Sequence, residues 1–150
     1  MEPIKLNPRQ IQNTLKFIDT TQSEAVKQCI FEELGQQCFC ANGFADRLEP
    51  YRGKHAEYLR PINEEHGSPH WESILPDGDG KAYILTGVVV DRCVCSFADG
   101  RDAPLSLCDY CCKEFQRCFF STLFDRAVDI EITASYLKGD DRCSTIIRFV

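Results

Sequence analysis

The chain has 150 residues, 43% of them hydrophobic and 27% charged, with a net charge of −6. That is enough for one domain with a genuine core. No Lys/Arg cluster follows a phosphate backbone, and no basic amphipathic stretch is present, so nucleic acid and an anionic membrane surface are both poor partners. The opening segment MEPIKLNPRQIQNTLKF lacks an apolar signal core and no run reaches transmembrane length, so a cytoplasmic address is expected. In a reducing compartment the ten cysteines read as metal-binding, catalytic or redox groups before they read as disulfides.

In chain order, residues 8 to 19 place Ile11, Leu15 and Ile18 on one helical stripe, with Pro8 suited to the first turn. Thr21-Gln-Ser-Glu24 matches a capping box. A second helix is expected from about 22 to 34, partly burying Val26, Cys29, Ile30 and Phe31, with Gly35 as its stop. QQCFCANGFADRL predicts a short helix ending near Pro50. One more helix is expected around 53 to 60, followed by a loop through Pro61, Gly67, Pro69 and Pro76. PDGDGK (76 to 81) resembles part of a calcium loop but lacks the later ligand positions, and reads as a turn.

From Ala82 the composition changes. AYILTGVVVDRCVCSF is β-branched and aromatic and predicts a buried strand running into Cys93 and Cys95. Residues 98 to 104 form a loop and 105 to 124 a long helix. VDIEITASYL (128 to 137) alternates as a half-buried strand, KGDD turns the chain, and RCSTIIRFV returns as the last strand. The whole is an α+β single domain over residues 1–150. A mostly helical part (1–80) packs on a strand–helix–strand–strand unit (81–150) that contributes an antiparallel sheet and one long helix.

Six cysteines fall between Cys93 and Cys118. On a strand, Cys93 and Cys95 share a face. In the first turn of the long helix, Cys108 lies over Cys111 and Cys112, where the helix dipole lowers thiol pKa values. Two such pairs are the layout of a tetrahedral thiolate site. Cys93, Cys95, Cys108 and Cys111 are the expected ligands, with Cys112 as substitute and zinc as the ion; an iron–sulfur cluster would use the same thiolates. The competing reading is an ordinary apolar core or a ligand pocket, since free cysteine behaves as a small hydrophobe. Cys118 and Cys29 read as core, and Cys38 and Cys40 either as core or as a second pair facing the first. His66 and His70 are four apart, but Gly67 and Pro69 between them favour a loop. A cysteine nucleophile would need His55, His66 or His70 beside it as base.

The closing segment VDIEITASYLKGDDRCSTIIRF has the form strand, Gly139-Asp140-Asp141-Arg142-Cys143, strand. With the preceding cysteine-bearing helix and Phe124-Asp125-Arg126-Ala127, it resembles the end of 4-vinyl-reductase-like domains. It is equally similar to the related L-2-amino-thiazoline-4-carboxylic acid hydrolase-like family, and the resemblance covers residues 82 to 150. It implies an antiparallel sheet with a helical layer enclosing a small-molecule pocket, lined or underpinned by Cys143. Such domains include small-molecule sensors, chaperone-like partners of tetrapyrrole enzymes and a thiazoline-ring hydrolase; homodimers are consistent with them. Ser144-Thr145 departs from the hydrolase-like pattern. A small-molecule-binding or sensor domain with a cysteine-rich site is therefore the first expectation, and a small hydrolase the alternative.

Overall fold

The computed structural model describes residues 1–95 and 97–150. Helix α1 (Pro8–Thr21) starts from a capping box, though not the expected one. The Asn7 side chain accepts from the Gln10 amide at 2.8 Å, and the Gln10 side chain accepts from the Asn7 amide at 2.9 Å. Thr21 instead closes α1 and donates its hydroxyl to the Phe17 carbonyl at 2.6 Å. Ser23 caps α2 (Glu24–Ala41).

Helix α2 does not stop at Gly35. It runs straight through, and the glycine serves a different purpose: a Cβ there would collide with the Cys111 carbonyl oxygen and lie 3.1 Å from Glu114 Cβ. Close approach of two helices, not termination, explains the residue. Phe31 is fully buried, whereas Val26 and Ile30 are 40% and 36% exposed, and Cys29 is exposed, which corrects its reading as core. Gly43, with φ +72, turns the chain into α3 (Phe44–Leu48). A 3₁₀ turn at Glu49–Tyr51 then leads to α4 (His55–Glu65). Pro61 lies inside α4, not in the loop expected after it, and its carbonyl accepts from the amides of His66 and Gly67 at the helix end.

Four strands form one antiparallel sheet in the order β1-β2-β4-β3: β1 Trp71–Asp77, β2 Ala82–Gly87, β3 Val128–Ala134 and β4 Ser144–Phe149. β1 falls in the segment expected to be a polar loop. It carries Pro76 and no clean alternation, both tolerable because it is an edge strand. Its backbone is clamped from α4: Asn63 accepts from the Ile74 amide at 2.7 Å and donates to the Ile74 carbonyl at 2.9 Å. That contact occupies edge groups otherwise free to pair with another chain. PDGDGK forms the β1–β2 turn, with Gly78 and Gly80 at positive φ.

In the C-terminal half a six-residue π-helix (Leu107–Cys112) leads into α5 (Lys113–Phe124). Inward residues of β3, Val128 and Ile130, alternate with exposed Asp129 and Glu131. The inward face packs with α3, α4 and α5 in an aromatic core built on Phe119, Phe120, Ile74, Leu85 and Ile147. A second apolar cluster lies outside that sandwich. It joins Leu15 of α1, Phe31 of α2, the π-helix, and Tyr136 and Leu137 beyond β3. α1 is held over this cluster largely by polar contacts. Buried Gln12 accepts from the Asp99 amide and donates to the Asp99 carbonyl. Arg9 pairs with Asp99, Lys16 with Asp102, and Ser106 donates to Asp19. No helix among the described residues is long and apolar enough to cross a membrane.

Candidate thiol site

β2 ends at Gly87, where the backbone of Cys143 approaches so closely that no side chain fits. The Gly87 amide donates to the Cys143 carbonyl at 2.8 Å, and a Cβ there would lie 2.5 Å from the same oxygen. The chain then leaves the sheet. Val88 donates to the His70 carbonyl and Val90 to the Asp141 carbonyl. Cys93 and Cys95 therefore ride on an irregular loop, not on the strand expected for them. What holds that loop is a set of contacts to the 135–143 segment. Tyr136 donates its hydroxyl to the Asp91 carbonyl at 2.6 Å. Arg101 stacks 3.9 Å above the Tyr136 ring and donates to the carbonyls of Tyr136 and Asp140.

The π-helix changes the geometry at Cys108, Cys111 and Cys112. Its hydrogen bonds run i→i+5, so residues three apart move round the helix relative to an α-turn, while those four and five apart share a face. The Cys111 backbone carbonyl meets Gly35 of α2, and Cys108 and Cys111 are both buried while Cys112 is half-buried.

Five cysteines meet in the second apolar cluster. Cys108 and Cys111 are buried members, and Cys93, Cys95 and Cys143 are half-buried against them. The loop pair, the helix pair and the residue after the Gly139 turn thus all pack in or against one apolar cluster. Cys112 is half-buried and takes a weak hydrogen bond from Gln116 Nε2 at 3.4 Å. Cys118 lies apart, packed against the aromatic core and near Glu114. Cys108 Sγ lies 3.0 Å from the Ser135 hydroxyl, itself buried.

Burial dominates the acid–base behaviour of these thiols. It pushes Cys95 up to about 12 and Cys108 up to about 11, from an ordinary 9.0, and raises Cys93, Cys111 and Cys112 as well. Smaller contributions come from the thiols themselves. Cys93, Cys38 and Cys108 raise Cys95; Cys95, Cys112, Cys38 and Cys108 raise Cys111; Cys108, Cys143 and Cys95 raise Cys112. The dipole argument, which lowers a thiol at a helix start, loses to desolvation here. Raised in this way, Cys93, Cys95, Cys108, Cys111 and Cys112 favour the neutral S–H form, a poor nucleophile that packs as a small hydrophobe.

Among the described residues, no group of three or more His, Cys, Asp or Glu side chains forms a ready-made ion-binding set. Nor is an imidazole hydrogen-bonded to a thiol. His55 contacts the Tyr83 hydroxyl at 3.3 Å and stacks on Phe124 in the aromatic core, and His66 ends α4. Gln116 Oε1 is a buried oxygen without a hydrogen-bond partner, one turn beyond Cys112. Two open grooves of roughly 350 and 430 Å³ run along α5 and β3, sharing Asp109, Lys113, Asp129 and Ile130; no cysteine lines either. The chain matches no family model and no curated protein sequence.

Sequence reasoning left Cys38 undecided. The signal for it was present: Cys38 follows Gly35 by three, which places it on the α2 face that meets the π-helix.

Proposed function

We propose that this chain is a small binding module whose working element is the thiol cluster, taking up one zinc ion between Cys93 and Cys95 of the loop and Cys108 and Cys111 of the π-helix. Cys112 is the substitute ligand, and Cys143 walls the site. One observation carries the reading: cysteines from three separated segments share one apolar cluster beside the aromatic core. An ordinary core would draw on Leu, Ile and Phe, as the aromatic core here does. A soft d¹⁰ ion wants four sulfurs at about 2.3 Å. The π-helix adds to this, because such segments recur at functional sites.

Uptake exchanges protons for the ion. Each ligating thiol releases one proton to solvent, and the divalent charge offsets the desolvation that keeps the free thiols neutral. The ligands are gathered but not closed around a point, so binding includes side-chain rotation and an inward shift of the loop that carries Cys93 and Cys95. The resemblance of residues 82 to 150 to 4-vinyl-reductase-like domains agrees with a sensor or binding role. Turnover by a thiolate nucleophile draws less support, since burial raises Cys93, Cys95, Cys108, Cys111 and Cys112 and, among the described residues, no imidazole is hydrogen-bonded to a thiol.

The test is elemental analysis of protein purified without chelator, followed by zinc titration of the stripped chain. One zinc per chain, lost in Cys95→Ser and Cys108→Ser but kept in Cys40→Ser, is the expected result. Absence of stoichiometric zinc in both measurements would overturn the reading.

A further inference from the structure

Cys40 and Cys118 stand outside the apolar thiol cluster and take no part in the zinc site. We propose that they form a separate redox site, at which a low-molecular-weight disulfide oxidises the pair and joins α2 to α5 through a Cys40–Cys118 bond.

The placement follows from how the two helices run. Gly35 of α2 lies against Cys111 and Glu114. Gln36 donates from Nε2 to Glu114 Oε1 at 2.9 Å. Phe39 meets Phe115 with ring centroids 6.1 Å apart, and Phe44, just past α2, meets Phe115 and Phe119 at 5.0 and 6.0 Å. Contacts thus advance together along both segments, so α2 and α5 run side by side in the same direction. Residues four apart share a helix face. One turn beyond the Gln36–Glu114 pair, on each helix, stand Cys40 and Cys118. Helical side chains lean toward the preceding turn, so both thiols lean toward that same pair. Cys118 Sγ lies 3.8 Å from Glu114 Oε1. Burial and then the Glu114 charge raise the Cys118 thiol, and Cys40 adds a smaller contribution that agrees with its nearness.

Access sets the order of steps. Cys40 is exposed and Cys118 half-buried, so the small disulfide reaches Cys40 first. The Cys40 thiolate attacks one sulfur of R–S–S–R, breaks that S–S bond and releases RS⁻, which takes up a proton as RSH. Cys118 then gives its proton to solvent. The Arg117 guanidinium, 4.0 Å from its sulfur, favours the thiolate as it forms. That thiolate attacks the Cys40 sulfur, forms the internal bond and expels the second RS⁻, again protonated to RSH. Two protein thiols are oxidised and one small disulfide is reduced to two thiols. The new bond closes a long loop and removes freedom from the unfolded chain, so the oxidised form should melt about 4–16 °C higher.

The experiment incubates the reduced full-length chain with oxidised glutathione, quenches with an alkylating agent and maps tryptic peptides by mass spectrometry. The expected product is a monomer in which the Cys118 peptide is linked to the peptide carrying Cys40. Cys40→Ser should abolish that link, and Cys29→Ser and Cys38→Ser should keep it. Cys118→Ser should stop at the first step, with glutathione retained on Cys40. Circular dichroism of each reduced variant checks that it folds, and melting of the oxidised parent measures the expected rise in Tm. A link that persists in Cys40→Ser, glutathione retained on Cys40 of the parent, a bond between two chains, or an oxidised form that melts below the reduced one overturns the inference. None of these results alters the test of the zinc site.

Discussion

Replacing Gly35 with alanine tests the contact that brings α2 onto the π-helix. In an exposed helix the change stabilises by about 1 kcal/mol, because glycine loses more backbone entropy on folding. Here the added methyl meets the Cys111 carbonyl oxygen and comes within 3.2 Å of its carbonyl carbon and 3.1 Å of Glu114 Cβ. The obstacle is backbone in a hydrogen-bonded helix, so it cannot rotate aside; overpacking of this kind costs ~1–3 kcal/mol, and the rigid case belongs at the upper end. The difference is a net destabilisation of about 2 kcal/mol, or ~4–8 °C in Tm at ~2–4 °C per kcal/mol for a chain of this size. Circular dichroism melting of the reduced, metal-free protein measures it, with Gln37→Ala on the exposed side of α2 as control. A Gly35→Ala variant melting at or above the parent would mean that the two helices do not approach as described.

Alkaline destabilisation follows from the raised thiols. In the metal-free chain, Cys95 and Cys108 titrate near 12 and 11 when folded but near 9 when unfolded. Their contribution is therefore complete below pH 9 and is lost as pH rises toward 11–12, by at most about 1.4 kcal/mol per pH unit per thiol. Urea midpoints under reductant should fall steeply from pH 9 to 10.5, and a flat profile there would contradict the burial of these groups. Asn63→Ala leaves the Ile74 amide and carbonyl without their partner and should cost about 1–3 kcal/mol in urea unfolding, with faster aggregation through the freed β1 edge. Gln116→Leu removes a buried oxygen that has no partner and should shift stability by less than about 1 kcal/mol in either direction; a larger loss would reveal that Oε1 is satisfied after all.

The alternating segment expected at 128 to 137 forms a strand as far as Ala134 and then a 3₁₀ turn at Tyr136–Lys138; the turns at 76–81 and 138–141 formed, and the helix expected at 105 to 124 formed with a π-helical first part. They did so because period and turn chemistry are local properties. β1 was hidden because an edge strand clamped by Asn63 needs neither alternation nor freedom from proline. Gly35 misled because a glycine demanded by a neighbouring helix looks, in sequence, like one that ends its own. At Gly87 too the glycine answers a close neighbour, the Cys143 backbone, and β2 ends there although composition carried the expected strand on to Cys95. For the thiols, spacing suggested that 93/95 and 108/111 would meet, and all four lie in or against one apolar cluster, with no ready-made ion-binding set among the described residues. Spacing could not foretell a π-turn in place of an α-turn, nor that desolvation would outweigh the helix dipole, since both depend on packing from α1 and α2. Cys29 shows the limit of residue type alone: a cysteine on an apolar stripe is exposed because nothing covers that side of α2.

The most direct test of the zinc site is differential alkylation of the full-length chain with and without zinc, mapped cysteine by cysteine by mass spectrometry. Protection of Cys93, Cys95, Cys108 and Cys111 by one equivalent of zinc, with Cys29 and Cys40 labelled equally in both states, is the predicted pattern. Labelling of those four that is indifferent to zinc, or protection confined to the exposed Cys29 and Cys40, would contradict it.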